Sequence, residues 1–200
     1  MALKGLPGCG KSTLGRTLSK QLGWPLIDKD DIKDIIDEHI SEAGGLAYDT
    51  MFNIARRQLL QELNVICDSP LNYTVSYEKA QQVAAETQAN LAIIECFCSD
   101  EQIWSQRINT RKSLQLPAHH QADWEQLRPK LGNQMATSDY PILHPLMSVD
   151  TIRPLDIICK EVIEWLASLS ALEMWHDPVG AWSDLPDTML EDLEKLRHPN

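Results

Sequence analysis

The stretch "GLPGCGKST" near the amino end places four residues between Gly5 and Gly10, with Lys11, Ser12 and Thr13 directly behind. This spelling, G-x-x-x-x-G-K-[ST], lets successive main-chain N–H groups converge on a phosphate. The loop Gly5, Leu6, Pro7, Gly8, Cys9, Gly10, Lys11, Ser12, Thr13 is therefore expected to bind ATP with Mg²⁺. Lys11 would reach the β- and γ-phosphates as a point charge. The Ser12 hydroxyl would ligate Mg²⁺, a hard cation that prefers oxygen. A helix beginning at Lys11 adds its positive dipole end. Cys9 contributes a backbone N–H, with redox chemistry as the alternative.

Acidic residues follow at two places. "PLIDKDDIKDII" sets Asp28, Asp30 and Asp31 between an apolar pair and a helix. A carboxylate there can accept the proton of an acceptor hydroxyl and align its oxygen for in-line attack. Asp31 suffices as a helix cap, which leaves Asp30 as the expected base and Asp28 as the alternative. "NVICDSPLN" ends a strand in Asp68, an expected Mg²⁺-side acid or, alternatively, a turn former before Ser69–Pro70. No glutamate adjoins it to activate water, which favours transfer over hydrolysis.

Further along, "EQIWSQRINTRK" puts Arg107 and Arg111 on one helical face. Side by side they repel unless an anion lies between them, and a triphosphate fits their planar forks. Salt bridges to Asp100 or Glu101 on a solvated face are the alternative. Arg56 and Arg57, in "LAYDTMFNIARRQLLQEL", could grip an anionic acceptor or pair with Glu62 or Asp49. His119 and His120 sit in a proline-containing loop and could touch substrate.

These residues need a frame. Short apolar runs alternating with amphipathic stretches indicate βαβ units and a parallel sheet. Strands are expected at Ala2–Lys4, Pro25–Ile27, Asn64–Cys67, Leu91–Phe97 and Leu143–Val149. Helices are expected at Lys11–Leu22, Asp31–Ile40, Leu46–Leu63, Thr74–Gln88, Glu101–Lys112 and Leu155–Leu169. Ser113–Trp124 and Gly132–Pro145 read as irregular. The first strand is short for a central position, as if Met1 were an internal or truncated start. From Leu172 onward the chain holds seven acidic and two basic residues, with Trp175 and Trp182 placed to dock this tail on the domain.

The totals narrow the class. A chain of 200 residues that is 43% hydrophobic and 24% charged is globular, with one domain and an appendage. Net charge of −11 opposes loose binding to nucleic acid. Five cysteines lack zinc-type pairing and fit a reducing compartment. No apolar run is long enough for a membrane span and no targeting segment opens the chain, so a cytoplasmic location is expected, an organellar segment upstream of Met1 remaining the alternative.

"GLPGCGKST" followed by "DKDDIK" resembles the P-loop kinase group that includes polynucleotide 5′-hydroxyl kinase and zeta-toxin-like kinases. In polynucleotide kinase the comparable turn carries a basic residue, two aspartates, an aromatic and another basic residue. Its general base falls on Asp30, and Ile32 stands where the aromatic would be. "LIDKDDIK" with "VICDSPL" is more similar to an uncharacterised group of plant and bacterial AAA-like P-loop kinases, over about residues 1–170. The resemblance implies a lid helix with an R-x-x-x-R pattern, matched by Arg107 and Arg111. It also implies an adenine cradle after the fifth strand, at Asp150, Thr151 and Arg153.

The expected fold is thus an α/β P-loop kinase domain over residues 1–171, with strand order 2-3-1-4-5 and a helical lid at about 101–135. The acidic tail spans 172–200. The expected activity is transfer of the ATP γ-phosphate to a hydroxyl of a small molecule. The alternatives are a polynucleotide 5′-hydroxyl kinase and an ATP-dependent switch that contacts a protein through its tail.

Overall fold

The computed structural model describes residues 1–40, 44–114 and 122–171. The tail, with Trp175 and Trp182, and the loop histidines His119 and His120 lie outside the described residues. The chain runs β1 (Ala2–Lys4), α1 (Lys11–Leu22), β2 (Leu26–Asp28), α2 (Lys29–Asp37), α3 (Gly44–Leu59) and β3 (Ile66–Asp68). It continues through α4 (Thr74–Thr87), β4 (Ile93–Phe97), α5 (Glu101–Ser113), α6 (Trp124–Ser138), β5 (Leu146–Asp150) and α7 (Leu155–Ala171). The five strands pair in parallel in the order β2-β3-β1-β4-β5, as the sequence leads one to expect.

A parallel sheet must be covered on both faces, and two apolar clusters do this. On one face Leu3, Ile66, Ile94 and Val149 meet Leu14 and Leu18 of α1 and Ile158, Val162 and Leu166 of α7. On the other, Ala2, Cys67 and Ile93 meet Met51, Phe52 and Ala55 of α3 and Tyr77 and Ala80 of α4. Alternation along each strand explains the split: Ala2 and Leu3 point to opposite faces. The short β1 is held at its lower end, where Ala2 N donates to Ala92 O and Cys67 N donates to Met1 O.

Several boundaries move. β2 and β3 each run on to an aspartate, Asp28 and Asp68, which face each other in register. β5 starts at Leu146 rather than Leu143. Leu143 is 83% exposed, and its N–H donates to the Tyr77 hydroxyl in a strap pinned also by Tyr140 Oη donating to Leu71 O. α6 runs through Gly132–Ser138, a stretch expected to be irregular. It contains Pro129, and its start is secured by a capping box between Asp123 and Gln126. Among the described residues no helix is long and apolar enough to cross a membrane.

Candidate active site

The loop between β1 and α1 gathers at the carboxyl end of the sheet, where open α/β sheets bind ligands. Gly5 takes φ 139°, and a Cβ there would lie 2.2 Å from Cys96 O, so no other residue fits. Gly8 takes φ 79°, and a Cβ there would sit 2.6 Å from Ile108 Cγ1 on α5. Gly10 precedes α1 without any side-chain cap, and no acid occupies the first turn. The first N–H groups of α1 are thereby left for an anion.

Lys11 is buried at 8% exposure, and its Nζ donates to Leu6 O at 3.0 Å. Desolvation alone would lower its pKa, but Cys9, Asp68, Cys96 and Asp30 nearby outweigh burial and raise it above 10.5. Lys11 is therefore an ammonium at neutral pH.

Two cavities adjoin the loop. A cleft of about 760 Å³ is lined by Gly8, Gly10, Ser12, Thr13, Arg107, Arg111, Thr151 and Arg153, among others. A cavity of about 50 Å³ brings Lys11, Ser12, Asp30, Asp68, Ser69 and Arg111 together, walled by Pro7, Pro70, Ile108, Ala122 and Leu127. These are the lysine, hydroxyl, two acids and arginine that the sequence singled out from four separate stretches.

The acids differ in their environments. Asp28, not Asp31, caps α2: its Oδ1 accepts from Asp30 N at 2.9 Å. The cap falls there because β2 runs straight into α2 with no intervening turn. Burial and then the neighbouring Asp68 push the Asp28 carboxyl up to about 6. Asp28 Oδ2 and Asp68 Oδ2 are buried without a hydrogen-bond partner, as are Ser69 Oγ and Asn72 Oδ1. Buried carboxylate oxygens left without donors suit a hydrated cation beside a phosphate, so the residues present fit Mg²⁺. Asp30 pairs with the buried Lys29 ammonium at 2.5 Å, which itself lies 5.5 Å from the Tyr48 ring centroid.

Over the loop lie α5 and α6, packed on each other through Ile108, Trp124, Leu127 and Leu131, with Leu6 and Trp104 against them. Trp104 Nε1 donates to Pro7 O at 2.8 Å, and its ring stands 5.4 Å from Trp124. Arg107 and Arg111 make none of the expected bridges, since Asp100 caps α5 and Glu101 pairs with Arg128. Arg107 instead donates from Nη1 to Thr151 Oγ1 and from Nη2 to Thr151 O, both at 2.8 Å. Thr151 Oγ1 in turn donates to Cys9 O at 2.8 Å. Asp150 Oδ1 accepts from Ser99 N and Ile152 N and so shapes the turn after β5. Arg153 lines the cleft but is paired with Glu161.

Arg56 and Arg57 are not brought to the site. α3 runs against the strand direction, so its last turn lies at the opposite end of the sheet. There Arg56 Nε pairs with Glu86 Oε2 at 2.8 Å, neither of the expected partners, while Asp49 pairs with Lys79. The sequence reading also passed over Trp104, Trp124 and Lys29. The Asp123–Gln126 capping box could have exposed α6, and with it Trp124; nothing in the local pattern flags Trp104 or Lys29.

The AAA domain family matches residues 1–134. Among solved structures, a candidate kinase from Chloroflexus aurantiacus is 21% identical, with 82% of this chain and 95% of that chain covered and a TM-score of 0.66. A sugar kinase from a Janibacter species is 11% identical over 82% and 92%, with a TM-score of 0.61. A gluconokinase from Sinorhizobium meliloti is 18% identical over 86% and 94%, with a TM-score of 0.58. Identities this low show a shared P-loop kinase-like fold and no finer likeness to polynucleotide or zeta-toxin-like kinases. No curated protein matches the chain.

Proposed function

The chain belongs to the AAA domain family, and from that premise we propose that it is a kinase that moves the γ-phosphoryl group of Mg-ATP to a hydroxyl of a small molecule. One observation carries the reading: Lys11, Ser12, Asp30, Asp68 and Arg111 surround a single small cavity at the end of the loop. Bound Mg-ATP supplies the phosphoryl group and the charge of the metal. The glycine-shaped loop and the first turn of α1 bind the anionic tail through main-chain N–H groups. Ser12 and Asp68 hold the metal side. Lys11 and Arg111 stabilise charge that spreads over the transferring group.

Asp30 takes the proton of the acceptor hydroxyl. It lines the cavity, whereas one oxygen of Asp28 is committed to capping α2. The Lys29 ammonium fixes the Asp30 carboxylate in place. Apolar walls from Pro7, Pro70, Ile108 and Leu127 keep water away from the reacting atoms. Thr151 and Arg153 border the large cleft and cradle the base end of the nucleotide, with Asp150 shaping the turn that carries them and Arg107 tying α5 to it.

The test is Asp30→Asn, assayed for Mg-ATP binding by calorimetry and for phosphoryl transfer with an acceptor found by screening. Unchanged binding with turnover lowered roughly 10²–10⁴-fold is expected from the loss of general-base catalysis. Turnover at the wild-type rate would remove Asp30 from the reaction.

A further inference from the structure

The acceptor end of the site has a charge sign. Asp28 and Asp68 stand side by side at the ends of β2 and β3, each with one buried oxygen that has no partner. Asp68 and Asp30 line the small cavity, and Asp28 stands directly behind them. Against these three carboxylates stands the Lys29 ammonium, already engaged by Asp30 and by the Tyr48 ring.

The remaining cations that face the cavity among the described residues are Lys11 and Arg111. Bound Mg-ATP carries about two negative charges, so these two cations are consumed in neutralising it. The arginines that could have met an anionic acceptor, Arg56 and Arg57, are at the far end of α3. Among the described residues, what is left for the acceptor is apolar surface (Pro7, Pro70, Ala122, Leu127) and the Ser69 hydroxyl.

We infer that the acceptor is an alcohol without any anionic group, either neutral or bearing an ammonium. This rests on the kinase reading and goes beyond it by fixing the charge class of the substrate. An anionic acceptor would enter a site of its own sign, where close like charges repel it and cut productive encounter. Nucleic acid falls in the disfavoured class, since its phosphates would have to approach the same carboxylates.

The experiment is ATP consumption by the full chain against size-matched acceptors: neutral polyols and nucleosides, amino alcohols and amino sugars, and sugar acids, nucleoside monophosphates and 5′-hydroxyl oligonucleotides. Turnover confined to the first two groups, with kcat/KM for the anionic group lower on the order of a hundredfold, is the expected result. For an ammonium-bearing acceptor, kcat/KM should also fall as salt rises. Best turnover with any anionic acceptor would overturn the inference while leaving the kinase reading intact. Protein that binds Mg-ATP yet phosphorylates no neutral or cationic member also counts against it. Calorimetry with no heat from Mg-ATP would instead sink the kinase reading, and this inference with it.

Discussion

Thr151→Val removes one hydroxyl and almost no volume. That hydroxyl donates to Cys9 O at 2.8 Å and accepts from Arg107 Nη1 at 2.8 Å, linking the loop, α5 and the turn after β5. A neutral hydrogen bond of this kind is worth about 1 kcal/mol net, and one to a charged group about 1.5–3 kcal/mol. Partial exposure lets water replace some of this, and the second Arg107 bond, to the Thr151 carbonyl, survives the change. The expected loss is therefore about 2 kcal/mol in urea denaturation, or a fall in Tm of roughly 4–8 °C for a chain of this size. Because the lost bonds also fix the loop, affinity for Mg-ATP should drop severalfold in calorimetry. A double-mutant cycle with Arg107→Ala isolates the pair, and a coupling of about 1 kcal/mol is expected. Zero coupling, with stability and affinity both unchanged, would refute the reasoning that Thr151 joins these three elements.

Two further changes probe the loop and the acids. Gly8→Ala drives a methyl into Ile108 and forces an alanine to φ 79°, so α5 must shift and affinity for Mg-ATP should fall about tenfold or more while circular dichroism stays that of a folded protein. Asp28→Asn keeps the cap, since asparagine caps as well as aspartate, but removes a buried charge. The folded carboxyl titrates near 6 against 3.8 unfolded, so the native state binds the extra proton between those values. The wild type therefore loses stability from this group as pH rises from 4 to 6. Relative to it, Asp28→Asn should gain about 1–2 kcal/mol at pH 7, after discounting for partial hydration, and show little gain near pH 4. Urea denaturation at both pH values checks the sign; an equal effect at both would show that burial does not set this pKa.

Much of the site was readable before any fold was known. The loop from Gly5 to Thr13 is a contiguous pattern, and each residue type follows from local demands of phosphate and magnesium. The strand and helix order was readable too, because buried strands and amphipathic helices leave periods of their own. Local reading failed where a second local signal masked the first. Pro129 and Gly132 hid α6 behind two helix breakers, although the capping box ahead of them holds its start. At α2, three aspartates in four positions each look like a cap, and only the exit angle of β2 selects Asp28.

The amino-acid sequence by itself determined the glycine-rich loop, the parallel α/β architecture and the acids at the strand ends, because those depend on neighbours along the chain and on the 2.0 and 3.6 periodicities. The tertiary structure decided the rest. Trp104 meets Pro7 across 97 positions and Thr151 meets Cys9 across 142, so neither contact has a local signature. Arg56 and Arg57 share a helix with residues near the site, yet the direction of α3 carries them to the other end of the sheet. Whether a charged side chain serves a substrate or a surface ion pair is set by where its helix ends in space, and that follows from packing between distant segments.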